Sequence, residues 1–252
     1  MKEPLLADDA FLADVEAAGA EPGLHAWWLG QSGVLVLHDG SSLLLDPYLS
    51  DSLTRKYAET DTPHVRLTRR VVAPERLAFV DVVLSTHGHT DHLDAETLRA
   101  VGAPVVAPTG LVGLARERSG AEVIGVSEGA PVTVDGFGIE AVPAVHPGDH
   151  CVGYVVTAGT FRLYHSGDTT WVDSGVRGVD LAFVPINGKL NNLDPAEGAR
   201  FTQLVEARLA VPCHYDMFEF NTADPGEFAS ECERLGQPYR VLRNGERVSL
   251  QP

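Results

Sequence analysis

Apolar and polar positions alternate in short blocks along the chain, and the blocks predict its elements. Asp8 to Ala18 carries Phe11, Leu12 and Val15 on one helical stripe, with Gly19 as the stop. Three strand-like runs follow: His25 to Leu29, Val34 to His38 and Ser42 to Leu45. Asp39-Gly40 is a hairpin signal between the last two, so an antiparallel meander opens the fold. Val82-Val83-Leu84 reads as a short buried strand, and Asp94 caps a helix beginning at Ala95. Ala103–Ala107 and Glu122–Val126 read as strands around a helix from Leu111 to Arg118. Pro131–Val134, Gly138–Val145, Cys151–Thr157 and Thr160–Tyr164 predict the strands of a second sheet. After the apolar run Asp180–Pro185, Asp194-Pro195 starts a helix expected to reach about Arg208, and Asp224-Pro225 starts another ending near Leu235. No linker divides the 252 residues, and 44% hydrophobic content supports a sizeable core. We expect one domain over residues 1–252, with 1–22 as a peripheral segment that covers the core or meets another subunit. Residues 50–77, the least regular part, form an insertion or lid loop.

The chemistry concentrates where the Val82–Leu84 strand ends. Ser85-Thr86-His87-Gly88-His89-Thr90-Asp91-His92-Leu93-Asp94 places three His and one Asp within six positions, between a strand end and a helix start. His87 and His89 are two apart, so in extended chain they share a side and can hold one divalent ion. If the chain then turns, Asp91 and His92 face a second ion beside the first, and both ligand types suit Zn, Mn or Fe.

This loop resembles the signature of the metallo-β-lactamase superfamily. The later stations of that pattern follow in order: His146 in Ala144-Val145-His146-Pro147, Asp168 in His165-Ser166-Gly167-Asp168, and His214 in Pro212-Cys213-His214-Tyr215. Within the superfamily the likeness is to the L-ascorbate-6-phosphate lactonase group. It is carried by Trp28-Leu29-Gly30-Gln31-Ser32-Gly33, Leu45-Asp46-Pro47-Tyr48, Leu163 to Asp168, Pro185-Ile186-Asn187-Gly188 and His214-Tyr215-Asp216-Met217, with Asn221 after it. The resemblance implies an αββα sandwich of two mixed sheets with helices on both outer faces; two separate α/β domains are the alternative. It implies two divalent ions per chain, Zn or Mn in preference to Fe. His87, His89 and His146 hold one, Asp91, His92 and His214 the other, and Asp168 bridges them. A bridging hydroxide then opens a lactone or related ester, with Asp91 doubling as proton shuttle. The alternatives on the same metal core are a phosphodiesterase or ribonuclease and a redox enzyme. The chain is shorter than the ascorbate-phosphate enzymes, differs from them at Pro185–Gly188 and shows no phosphate-binding motif, so the ester stays open.

Four further residues are expected around the centre. Asp46 is either a carboxylate orienting a metal-bound imidazole, as the resemblance implies, or a turn former. His165 supports Asp168, Asn187 offers an amide to substrate or an oxyanion, and Asp216 orients His214 or forms cleft wall. His150 with Asp149 is expected at the cleft mouth, and His38 and His64 on the surface. Cys213 reads as a small buried residue.

Charge narrows the partners. A formal net charge of −16, from 19 basic and 35 acidic residues, argues against a nucleic-acid partner. Residues 50–77 run against that balance, with Arg55, Lys56, Arg66, Arg69, Arg70 and Arg76, and predict a lid offering cations to a small anionic ester or lactone. Three sparse cysteines, no leader-like stretch and no membrane-length apolar run predict a reduced, cytoplasmic protein, free of the membrane, with a homo-oligomer left open.

Overall fold

The computed structural model describes residues 1–148 and 150–252. The chain runs α1 (Asp8–Ala18), β1 (Leu24–Gly30), β2 (Gly33–His38), β3 (Ser41–Leu45), α2 (Ser52–Lys56), β4 (Val82–Leu84), α3 (Ala95–Val101) and β5 (Val105–Pro108). It continues with α4 (Val112–Ser119), β6 (Val123–Val126), β7 (Val132–Val134), β8 (Phe137–Pro143), β9 (Val152–Ala158) and β10 (Phe161–His165). β11 (Leu181–Pro185), α5 (Pro195–Leu204), β12 (Ala210–Cys213), α6 (Pro225–Leu235) and β13 (Arg247–Leu250) complete it. The first sheet has the order β13-β1-β2-β3-β4-β5-β6 and the second β12-β11-β10-β9-β8-β7.

Side-chain alternation turns these sheets into layers. In β1, Leu24, Ala26 and Trp28 enter the core between the sheets, while Trp27 and Leu29 face the other way. That outer face is covered by Phe11, Val15 and Ala18 of α1, Leu98 and Val101 of α3 and Ala115 of α4. Phe201 of α5 and Phe228 of α6 close the second sheet. The result is the αββα sandwich of two mixed sheets.

Strand direction decides where the loops go. β1 to β3 pair antiparallel, whereas β3 to β6 pair parallel. β7 to β10 are antiparallel, then β10, β11 and β12 are parallel. Parallel neighbours deliver their carboxyl ends to the same edge, where open α/β sheets build sites. Asp46, the Ser85–Asp94 loop, Asp168, Asn187 and His214 all leave strands there. His146 follows β8, which runs in the direction of β10 because each pairs antiparallel with β9.

Two elements depart from the sequence reading. α5 stops at Leu204, not near Arg208, because the chain beyond it bonds to the lead-in of β11: Gly178 N–H to Val205 O at 3.0 Å and Arg208 N–H to Val179 O at 2.9 Å. β13 has no strong pattern of its own. Four residues pair with β1, Leu250 opposite Leu24 and Arg247 opposite Trp27.

Gly167, in the Asp168 loop of the second sheet, lies close against Thr86 of the first. Its φ is +62°, and a Cβ there would lie 2.9 Å from Thr86 Cβ and 3.0 Å from Val152 O. Gly167→Ala adds left-handed strain to a backbone clash and is expected to cost about 2–4 kcal/mol. Urea unfolding at pH 7.5 measures it; a loss under about 0.5 kcal/mol, the range of ordinary surface changes, would contradict this packing.

Candidate metal centre

Asp46 is the post on which the loop after β4 is hung. Fully buried, with φ +41°, it accepts three hydrogen bonds. Oδ1 takes Thr86 N–H at 2.7 Å; Oδ2 takes Thr86 Oγ1–H at 2.6 Å and His92 Nδ1–H at 2.7 Å. Because the Thr86 hydroxyl donates to Asp46, its oxygen is left to accept His87 Nδ1–H at 3.1 Å. Each ring therefore donates from Nδ1, and in its neutral form is the tautomer whose Nε2 carries a lone pair. From above, Arg118 of α4 donates to the carbonyls of Gly88 at 2.8 Å and Leu93 at 3.1 Å, bracing the loop. Asp94 caps α3 as expected, accepting from Thr97 N–H.

The lone pairs converge. His89 Nδ1 lies 3.0 Å from His87 Nε2 and 3.2 Å from His146 Nε2. His146 is set by its other nitrogen, which donates to Asn191 O at 3.2 Å. Beside them sit Asp91, His92 and His214, with His92 Nε2 3.6 Å and His214 Nε2 3.7 Å from Asp91 Oδ2. Asp168 lies between the groups: Oδ1 is 3.4 Å from His92 Nε2, while Oδ2 is 3.2 Å from His214 Nε2 and 3.7 Å from His146 Nε2. His87, His89 and His146, and likewise Asp91, His92 and His214, bring one ligand atom each within 4.8 Å of one another. All seven residues expected at the centre meet in one place.

Their electrostatics fit a divalent cation. Burial pushes His87 well below the ordinary imidazole value and lowers His89 and His146, so these three are neutral at pH 7, the form that can bind a metal. Burial also opposes charge on His92, but Asp168, Asp46 and Asp91 outweigh it and raise His92 well above that value. Burial raises Asp168 and Asp91 too, and the neighbouring His214 and His92 reverse this, leaving both carboxyls below the usual carboxylate range. His92 Nε2 and Asp168 Oδ1 are buried without a hydrogen-bond partner among the described residues. Without a metal the three carboxylates keep a proton on His92; a cation would take that proton's place on Nε2 and satisfy Asp168 Oδ1 as well.

Three contributors escaped the sequence reading. Gln31, buried at φ +53°, donates Nε2–H to Asp91 Oδ2 at 2.8 Å and lies 3.0 Å from His214 Nε2. Its carbonyl accepts from Trp28 Nε1–H at 3.0 Å and from His214 N–H at 2.8 Å, which fixes His214 in its own left-handed conformation at φ +64°. Gln31 lies within the Trp28–Gly33 motif and Thr86 within the Ser85–Asp94 loop, the signals that could mark them; Arg118 has none. His165 sits where expected. It donates Nε2–H to Ser32 O at 2.8 Å and accepts Gly167 N–H at 3.1 Å, clamping the Gln31 turn to the Asp168 loop.

Other expectations need correction. Asp216 faces away from the centre, paired with Lys2 at 2.8 Å, because its φ of +55° turns it outward. Asn187 is 3% exposed, and its amide hydrogens go to Lys189 O and Asn221 Oδ1, so none is left for substrate. Nor do most cations of the 50–77 loop reach the cleft. Arg66 is buried against Asp51, Ser50 O and Met217, Arg69 pairs with Glu3 and Asp8, Arg55 with Glu96 and Arg76 with Asp9. Lys56 alone of that set lines it, joined by Arg118. His64 is half-buried in the cleft wall, stacked on Tyr57 at 4.2 Å and against Phe220 at 4.4 Å. His150 packs its ring over Gly110; Asp149 lies outside the described residues. The cleft, ≈ 360 Å³, has His89, Asp91, Asp168 and His214 on its floor and Leu53, Tyr57, His64 and Phe218 on one wall.

Fold and centre together are those of metal-dependent hydrolases. Residues 42–215 match the family model for the β-lactamase superfamily domain. A UPF0173 metal-dependent hydrolase of Opitutus terrae is 32% identical over 241 residues, 88% of this chain and 98% of the relative. Another, from Methanopyrus kandleri, is 34% identical over 236 residues, covering 85% and 94%. The crystal structure of Igni18, a metallo hydrolase of Ignicoccus hospitalis, superposes with a TM-score of 0.71 at 27% identity, over 91% of this chain and 99% of that one. The chain belongs to the β-lactamase superfamily and, within it, to the UPF0173 metal-dependent hydrolases.

The buried imidazoles set a pH response for the metal-stripped protein. Burial lowers His87, His89, His146, His165 and His64 below the ~6.5 they recover on unfolding. Below that value the unfolded chain binds more protons, so their contribution is complete above pH ~6.5 and is lost as pH falls. His92, raised, acts in the opposite sense: its contribution is present below pH ~6.5 and lost as pH rises through its folded value. Five against one, chelator-treated protein is expected to show a lower urea midpoint at pH 5.5 than at 7.5. An unchanged or higher midpoint would contradict neutral burial.

Proposed function

We propose that the chain is a dinuclear metal-dependent hydrolase that opens a lactone or related carboxylic ester carrying an apolar group, with an anionic substrate favoured. The observation that carries this reading is the pairing of two three-residue ligand sets in one cleft with Asp168 between them. His87, His89 and His146 would hold one ion and Asp91, His92 and His214 the other, with Asp168 shared. Zn or Mn suits this imidazole and carboxylate set. When bound, the ions supply a nucleophile at neutral pH by acidifying water, and they polarise the scissile carbonyl.

The protein's own groups do the rest. Gln31 holds Asp91 through Oδ2, so Oδ1, without a donor among the described residues, is the atom left to take a proton. Asp91 stands below the usual carboxylate range, with His92 and His214 beside it. A proton taken up at Oδ1 would pass to the departing alkoxide. Leu53, Tyr57, His64 and Phe218 offer an apolar wall that excludes water from the substrate's non-reacting part, while Lys56 and Arg118 attract an anionic one. The cleft's small size and the net charge of −16 favour a small ester over a polynucleotide.

Turnover of γ- and δ-lactones, bis(p-nitrophenyl) phosphate and a cephalosporin by Zn- and Mn-loaded protein tests the substrate class. The lactones should give the highest kcat/KM; faster phosphodiester hydrolysis would reassign the reaction to phosphorus.

Two substitutions separate chemistry from metal holding. Asp91→Asn keeps one oxygen for a metal but takes up no proton near neutral pH, so much of the metal should stay while kcat falls ~10²–10⁴-fold. Asp168→Asn removes the shared anion, and metal content should fall with activity. Full metal and near-native turnover in Asp91→Asn would eliminate the shuttle.

A further inference from the structure

Behind the cleft wall three asparagine side chains form a chain of amides. Asn187 follows β11, and its Nδ2 donates to Lys189 O at 3.2 Å and to Asn221 Oδ1 at 2.7 Å. Asn192 Nδ2 donates to Asn187 Oδ1 at 3.0 Å. All three side chains are buried, with relative exposures of 3%, 7% and 4% for Asn187, Asn192 and Asn221.

One atom sets the direction of the whole chain. A backbone carbonyl only accepts, so the Asn187 atom facing Lys189 O has to be its nitrogen. Its oxygen then faces Asn192, and its second N–H faces Asn221. Asn221 must meet that N–H with oxygen, which turns its own Nδ2 the other way. Rotating the Asn221 amide would set nitrogen against nitrogen in a buried place and leave the two facing N–H groups without an acceptor. The Lys189 carbonyl is itself held, accepting Asn192 N–H at 3.1 Å, and Lys189 Nζ donates to Phe220 O at 2.7 Å, next to Asn221.

Asn221 lines the same cleft as His89, Asp91, Asp168 and His214. Among the described residues its Nδ2 donates to no acceptor, and the atom is not fully enclosed, on a side chain that borders the cleft. We propose that Asn221 Nδ2 is a preset hydrogen-bond donor for a substrate oxygen, and that Asn187 and Asn192 are positioning residues that hold its amide in this sense. The donor needs no reorganisation when substrate arrives, which is what makes such a group effective. The assignment rests on the cleft being the hydrolytic site and not on the substrate being a lactone.

Two measurements on the full, zinc-loaded chain test it. The first is side-chain amide hydrogen exchange by ¹⁵N NMR, which needs no substrate: the Asn187 Nδ2 protons should be protected and those of Asn221 should exchange quickly. Protected Asn221 protons would overturn the proposal. The second uses whichever panel substrate gives the highest kcat/KM. Asn221→Asp, which puts an acceptor where the donor stood, should lower kcat/KM about 10²-fold with zinc content unchanged. Asn187→Leu, which frees the Asn221 amide to rotate, should lose less, and the double variant should be no worse than Asn221→Asp alone. An Asn221→Asp value within about twofold of the parent, or losses that simply multiply, would overturn it. Should the phosphodiester prove the best substrate, the lactone reading falls while this experiment still decides the role of Asn221.

Discussion

A single buried carboxylate organises the centre. Asp46 accepts from Thr86 N–H, Thr86 Oγ1–H and His92 Nδ1–H, and through the Thr86 hydroxyl it also settles His87. Two imidazoles on either side of a tight turn thus present the same nitrogen to the cleft. Without that carboxylate, three donors would be buried unpaired and the tautomers of His87 and His92 would be free to change. Asp46 reaches all three from a left-handed backbone, at φ +41°. Gln31 and His214 share that conformation at +53° and +64°. The strain at these positions is of the kind that collects where geometry serves chemistry.

Topology supplies what local geometry cannot. The parallel half of each sheet sends its carboxyl ends to one edge, and β8 reaches the same edge by pairing twice antiparallel. His165 then ties the edges together, donating to Ser32 O of one sheet's turn and accepting from Gly167 N–H of the other. Gly167 has no room for a side chain because Thr86, the partner of Asp46, lies against it. Loop geometry, inter-sheet contact and ligand tautomers are therefore one connected arrangement.

His87, His89, Asp91 and His92 were legible because they lie at short spacing after an apolar strand; His146, Asp168 and His214, far apart in the chain, were legible through the resemblance to the superfamily pattern, each a few residues past an apolar run. Capping was equally local: Asp94, Asp194 and Asp224 each cap a helix through the side chain. What failed was whatever long-range partners decide. Arg66 and Arg69 read as free cations, but their carboxylates lie at Asp51, Glu3 and Asp8, and only the fold brings Glu3 and Asp8 to Arg69. Asp216 sits two residues from His214, yet a positive φ and Lys2, from the chain's other end, turn it away. Arg118 braces a loop some thirty positions earlier, with no local pattern to mark it. Asn187 was singled out as an amide near substrate; the fold places it one residue behind, against Asn221.

The central claim is that seven side chains form one two-ion centre. Anomalous diffraction at the zinc edge, from crystals of the zinc-loaded chain, tests it most directly. Two peaks ~3.5–4 Å apart are expected. One should lie within ~2.0–2.3 Å of His87 Nε2, His89 Nδ1 and His146 Nε2, and the other against Asp91, His92 and His214, with an Asp168 oxygen on each. A single peak at full zinc loading, or a second peak outside these residues, would contradict the account.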